Sequence, residues 1–299
     1  MEIDRRRLHD HVTRLTRCPR PAESVELESV RSYLTDELSS SGWQVVRDPF
    51  DAQDSQTGRQ LHGISLIATH ADRPLGKRPR FCVGAHMDSC PQTPGADDNA
   101  SAVAALLEIA RVLPESWPTD AIWDLELVAF DLEENGMVGG AWHAQSCKQR
   151  NVALQGMISL EMLGYCRHEE NSQQLPPELV GHYPSVGNFI ALIGNQNSHP
   201  LLGAFAFGMK HVPNLPVEML AVPDNGNPLP ASRLSDHSGF WDAGYPALMI
   251  TDTSFLRNPH YHMPTDTVDT LDFEFLQKVT QGCVEALRLV LRHGYAQEV

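Results

Sequence analysis

Positive charge is scarce in this sequence: 23 lysines and arginines stand against 38 aspartates and glutamates, a formal net charge of −15. No Lys/Arg cluster builds the basic patch that a polyanion requires, so the chain is not expected to bind nucleic acid. Long apolar runs are also missing. No segment reaches the roughly 20 residues of a membrane span, and the opening MEIDRRRLHDHVTRLTRCPR lacks the unbroken apolar stretch of a signal peptide. A cytoplasmic protein with no membrane partner is expected. Cysteines are few and scattered: Cys18, Cys82, Cys90, Cys147, Cys166 and Cys283 form no CxxC pair and no dense framework. That argues against a disulfide scaffold and suits free thiols in a reducing compartment. In such a compartment the Asn99-Ala100-Ser101 sequon carries no meaning. No internal repeat and no domain linker is visible.

What is present is a chain of 299 residues with 41% hydrophobic content, enough to bury a large core. Residues 5–16 and 23–40 carry helical patterns, as do 99–113 and about 272–292, where Leu276, Val279, Cys283, Leu287 and Val290 form one apolar stripe. Short apolar strand-like runs occur at Trp43 to Val46, Ile64 to Ala68, Phe81 to Ala85, Leu125 to Phe130, Met157 to Leu160, Phe189 to Ile193 and Ala247 to Ile250. The alternation predicts an α/β fold, a mixed and largely parallel sheet sandwiched between helices, in one domain spanning 1–299. Ligands in such folds collect at the C-terminal ends of the strands. Residues 222–230, VPDNGNPLP, read as a long exposed loop.

Four segments carry chemistry. At the end of a strand, Gly84-Ala85-His86-Met87-Asp88-Ser89 delivers His86 into a cleft, with Asp88 on the same side to take the other imidazole proton. Alone, His86 could equally be a core histidine. It is followed by Pro94-Gly95-Ala96-Asp97-Asp98-Asn99-Ala100-Ser101; Asn99 or Ser101 would cap the next helix, but two consecutive acids exceed what a cap needs. The run Leu127 to Phe130 leads into Asp131-Leu132-Glu133-Glu134-Asn135-Gly136. Adjacent carboxylates at the mouth of a buried strand repel one another and call for a cation. If one glutamate coordinates it, the free one can act as a base. Ser159-Leu160-Glu161-Met162 ends another strand in an acid, and Asn258-Pro259-His260-Tyr261-His262-Met263-Pro264-Thr265-Asp266-Thr267 offers two histidines and an acid.

In this order the segments HMDS, PGADDNAS, DLEENG, SLEM, SDHSGFWDAGYPAL and YHMPTDT resemble the clan MH zinc peptidases. These include bacterial leucyl aminopeptidases, with glutaminyl cyclases, glutamate carboxypeptidase II and the transferrin receptor as relatives. The resemblance covers nearly all of the chain beyond the leading helices. It implies two zinc ions, with cobalt or manganese as substitutes, held by His86, Asp98, Glu134, Glu161 and His262. Asp98 would bridge them and Glu133 would be the general base. Asp88 and Asp266 would support the ligands from behind, leaving His260 structural or facing substrate. A peptide or aminoacyl substrate is implied, with a pocket-forming insertion at about 164–232. Two departures stand out. Glu161 occupies the position of an aspartate in the prototype, and Ala231-Ser232-Arg233-Leu234 replaces a segment carrying a tyrosine that stabilises the tetrahedral intermediate. Arg233 is the candidate to stabilise an oxyanion or bind a substrate carboxylate.

The expected activity is aminopeptidase hydrolysis. Alternatives are a carboxypeptidase or small-amide hydrolase on the same site, a glutaminyl cyclase, and a non-catalytic receptor-like homologue. Against the cyclase stands the intact His86-Met87-Asp88, and against the receptor stand the competent side chains at all six metal and base positions. Ser235-Asp236-His237 is too contiguous for a nucleophilic triad and is expected to form a turn or pocket wall.

Overall fold

The first helices form where the pattern predicts them, each with a side-chain cap. Asp4 accepts the N–H groups of Arg6 and Arg7 to start α1 (Arg5–Leu15), and Ser24 accepts that of Leu27 to start α2 (Val25–Ser40). The last helix, α7 (Phe273–His293), opens on Asp272 in the same way. Between them lie α3 (Ala102–Ser116), α4 (Val138–Gln149), α5 (His199–Met209) and α6 (His237–Ala243). The strands are β1 (Trp43–Gln53), β2 (Gln60–His70), β3 (Arg80–His86), β4 (Asp124–Phe130), β5 (Leu154–Glu161), β6 (Ile190–Asn195), β7 (Val217–Val222) and β8 (Ala247–Thr251). The computed structural model describes residues 2–54 and 57–295.

All eight strands form one sheet in the order β1-β2-β4-β3-β5-β8-β6-β7. Its centre, β4-β3-β5-β8, is parallel, and β2 and β6 join it antiparallel on either side. Alternate residues of these strands face opposite layers. Phe81, Val83 and Ala85 of β3 and Leu125, Leu127 and Ala129 of β4 pack with α1, α2, α3, α5 and α7 in the main core. Cys82, Val128 and Phe130 face a smaller core built with Ala144 of α4 and Phe240 and Trp241 of α6. The expected sandwich is therefore the observed one. Among the described residues no helix is long and apolar enough to cross a membrane.

The elements differ from the sequence reading at the sheet's margins. β1 and β2 pair antiparallel from Trp43↔His70 to Gln53↔Gln60, well beyond the short apolar runs at their inner ends. In β1 only Trp43 and Phe50 are buried, so its outer residues carry no core pattern. The segment 222–230 holds a 3₁₀ turn, Asp224–Gly226, and leads into a second, Pro230–Arg233, rather than forming a featureless loop.

The parallel centre positions the site. β3 ends on His86, β4 runs into Asp131 to Glu134, and β5 ends on Glu161, three neighbouring strands delivering side chains to one edge of the sheet. Asp98 arrives from the turn before α3. Gly95 opens that turn at φ 64°, and a side chain there would collide with the Asp98 carbonyl, so only glycine fits.

Candidate metal centre and catalytic base

Two donor groups meet on the two oxygens of Asp98. Its Oδ1 lies 3.3 Å from His86 Nε2, which is also 3.6 Å from Glu161 Oε2 and 3.8 Å from Glu133 Oε2. Its Oδ2 lies 3.2 Å from His262 Nε2, which in turn is 3.2 Å from Glu134 Oε2. Ligand atoms around a tetrahedral zinc at about 2.0–2.1 Å stand about 3.3 Å apart. Each group therefore has the donor types and spacing that a divalent cation takes. His86 is 1% exposed and neither of its ring nitrogens makes a hydrogen bond, an expensive arrangement unless an ion completes it.

Electrostatics point the same way. Burial presses the His86 imidazolium down, but Glu133, Glu161, Asp88 and Asp98 overcome it and hold the ring well above its usual range. Burial also lowers His262, yet Asp98, Cys90 and Glu134 push it up to about 12. Burial raises Asp98, and the imidazoles of His262 and His86 beside its two oxygens bring it below the ordinary carboxylate range. Burial pushes Glu133 well up; Glu161, Glu134 and Asp236 add to the rise and His86 opposes it. Protons on the imidazoles thus supply positive charge that a divalent cation would otherwise bring.

The supporting acids act on backbone. Asp88 accepts the N–H of Glu133 at 3.3 Å through Oδ1 and that of Glu134 at 3.2 Å through Oδ2, fixing the two glutamates together. Its 3.4 Å approach to His86 Nδ1 falls short of hydrogen-bond geometry. Asp266 accepts the N–H groups of Asp97 and Asp98 at 2.9 and 3.2 Å. Asp97 itself turns away from Asp98's partners, accepting from Gly164 N–H and Asn258 Nδ2. His260 Nδ1 meets Thr265 Oγ1 at 2.9 Å. Ser235, Asp236 and His237 diverge: Ser235 Oγ donates to Glu161 Oε2 at 2.8 Å, Asp236 Oδ1 accepts from Gly140 N–H, and His237 Nε2 bonds the Ser232 carbonyl.

Arg233 is held by its neighbours. Its Nη1 donates to the Asn225 carbonyl and its Nη2 to Asp242 Oδ2, both at 2.7 Å, because α6 presents Asp242 directly beside it. Beside Glu161 lies a mostly apolar pocket formed by residues including Leu175, Phe189, Ile193, Met219, Leu229 and Met249. Among the described residues no lysine, arginine or histidine lines it.

Sequence reasoning missed two contributors. Arg20, 1% exposed, donates to the Met87 carbonyl at 2.8 Å, the Gly95 carbonyl at 2.9 Å and the Pro94 carbonyl, clamping the loops that carry Asp88 and Asp98. Cys90 gives its backbone N–H to Glu134 Oε1 and its thiol to Glu134 Oε2, each at 3.0 Å.

Residues 66–287 match the sequence pattern described as Peptidase family M28. The chain belongs to peptidase family M28. It is thereby a hydrolase of the peptidase class. It is 35% identical over 284 residues to the uncharacterized protein YfbL of Escherichia coli, covering 90% of this chain and 82% of that protein. It is 27% identical over 220 residues to aminopeptidase YwaD of Bacillus subtilis, covering 69% of this chain and 41% of that protein. Among solved structures, the LapA aminopeptidase of Legionella pneumophila superposes with a TM-score of 0.72 at 19% identity, over 97% of this chain and 72% of LapA. A glutaminyl cyclase of Porphyromonas gingivalis does so at 0.73 and 18% identity, over 96% of this chain and 99% of the cyclase. At these identities the structural likenesses speak for the fold alone.

Proposed function

We propose that this M28 peptidase is an aminopeptidase that works with two zinc ions. His86 and Glu161 would hold one, Glu134 and His262 the other, and the two oxygens of Asp98 would serve both. When bound, zinc supplies Lewis-acid polarisation of the scissile carbonyl and acidification of a water molecule towards neutral pH.

The chain's own part is base, cradle and pocket. Glu133 Oε2, on the His86 side of Asp98, takes the proton of the attacking water and returns it to the leaving amine. Asp88 holds Glu133 at its backbone, so the base keeps its place as its side chain changes charge. The apolar pocket beside Glu161 receives a substrate side chain, and the surrounding carboxylates favour a cationic N-terminal amine.

One observation carries the choice of the amino end. A substrate carboxylate would need a cation, yet among the described residues none lines the pocket, and Arg233 is already bound to Asp242. The intact His86, set against Asp98 and Glu161, favours hydrolysis over cyclisation. Six free cysteines favour a reducing, cytoplasmic setting. The test is hydrolysis of free against N-acetylated aminoacyl anilides, with metal content measured on the same preparation. Hydrolysis confined to the free amine is expected; equal rates on both would transfer the reading to a small-amide hydrolase.

A further inference from the structure

We infer that Cys90 is a fourth protein ligand to the ion held by Asp98, Glu134 and His262, so that one of the two metal positions carries a sulfur donor. The inference rests on the dinuclear reading above. Cys90 follows Asp88 by two residues, and its half-buried side chain meets the Glu134 carboxylate. Its Sγ is 3.0 Å from Glu134 Oε2, and that oxygen is 3.2 Å from His262 Nε2. One donor atom from each of Cys90, Glu134 and His262 falls within 4.8 Å of the others. With Asp98 Oδ2 at 3.2 Å from the same imidazole nitrogen, the set is two oxygens, a nitrogen and a sulfur. These are the ligand types of tetrahedral zinc. His86, with both ring nitrogens unpaired and buried, marks the same cleft as built around ions.

Coordination forms a metal–sulfur bond and breaks the S–H bond. The proton now directed at Glu134 leaves to solvent, and no electron changes hands. Four protein ligands would close that position, whereas His86, Glu161 and Asp98, beside Glu133, would leave room for water or substrate at the other. The two ions thereby divide the work: the sulfur-bearing one anchors Asp98 and the other faces the substrate.

Cobalt(II) reports sulfur directly, because a thiolate ligand adds a near-ultraviolet charge-transfer band that nitrogen and oxygen donors do not give. The metal-free full-length protein, loaded with two equivalents of cobalt, is expected to show this band; Cys90→Ser should lose it and bind the second equivalent at least about tenfold more weakly. Cys166→Ser is the control, since Cys166 lies near His168 and Asp272 in a separate cluster, and it should keep the band. On wild-type protein, cobalt should also protect Cys90 from iodoacetamide, read by peptide mass. Two bound cobalt ions with no thiolate band, or a band that survives in Cys90→Ser, overturns the sulfur ligand and leaves the dinuclear reading intact. Failure to bind cobalt at all overturns both.

Discussion

Asp266 holds Asp98 by the backbone, accepting its N–H at 3.2 Å while the other carboxylate oxygen takes that of Asp97 at 2.9 Å. Asp98 is thus fixed from the main-chain side by a buried acid. Asp266→Ala should leave the fold intact by circular dichroism yet weaken metal binding by about ten- to a hundredfold in competition with a chromogenic chelator. Unchanged affinity would remove Asp266 from the cradle.

Glu133 Oε2 lies 3.8 Å from His86 Nε2, in one group with Glu161, and Asp88 fixes its backbone. Glu133→Gln should keep metal content and melting temperature while turnover falls at least about a hundredfold, the scale of a lost general base. A variant with near-normal turnover would move the base elsewhere.

Glu161 is one methylene longer than aspartate, and Ser235 restrains the extra freedom by donating to Oε2 at 2.8 Å. Glu161→Ala should lose about one metal ion per chain by elemental analysis. Ser235→Ala should keep both ions but release the first more readily during graded chelation. If Glu161→Ala retains two ions and full activity, Glu161 is not a ligand.

His237 gives a pH dependence of stability independent of the metals. Burial lowers its pKa to about 3, so the folded ring stays neutral, bonded to the Ser232 carbonyl at 2.9 Å. The unfolded chain gains a proton near the ordinary value of about 6.5. The stabilising contribution is therefore complete above about 6.5 and is lost as pH falls from there towards 3, at about 1.4 kcal/mol per pH unit. Denaturant titrations between pH 6.5 and 4.5 should show a shallower acid slope for His237→Gln than for wild type. Equal slopes would show that His237 is not the group responsible.

The layers and most of the site were legible because both rest on local sequence. Buried parallel strands read as apolar runs, and the runs in β3, β4 and β5 lead directly into His86, Glu133 with Glu134, and Glu161. The remainder depends on distant partners. Helix α5, HPLLGAFAFGM, is apolar nearly all round and shows no helical stripe. β7 is a half-exposed edge strand with no core alternation. Arg20 lies 67 residues from Met87, whose carbonyl it holds, in a segment whose other charges face solvent. Arg233 could be proposed for substrate because nothing near it in sequence announces that Asp242, a turn along α6, would take its guanidinium.

The central claim, that Asp98 and its neighbours make a dinuclear zinc site for hydrolysis at a free N-terminus, is tested most directly by titrating verified metal-free protein with zinc. The rate of release from an aminoacyl anilide is followed throughout. The account predicts no hydrolysis without metal and a rate that stops rising at two equivalents per chain. Hydrolysis by protein shown to be free of metal would contradict it.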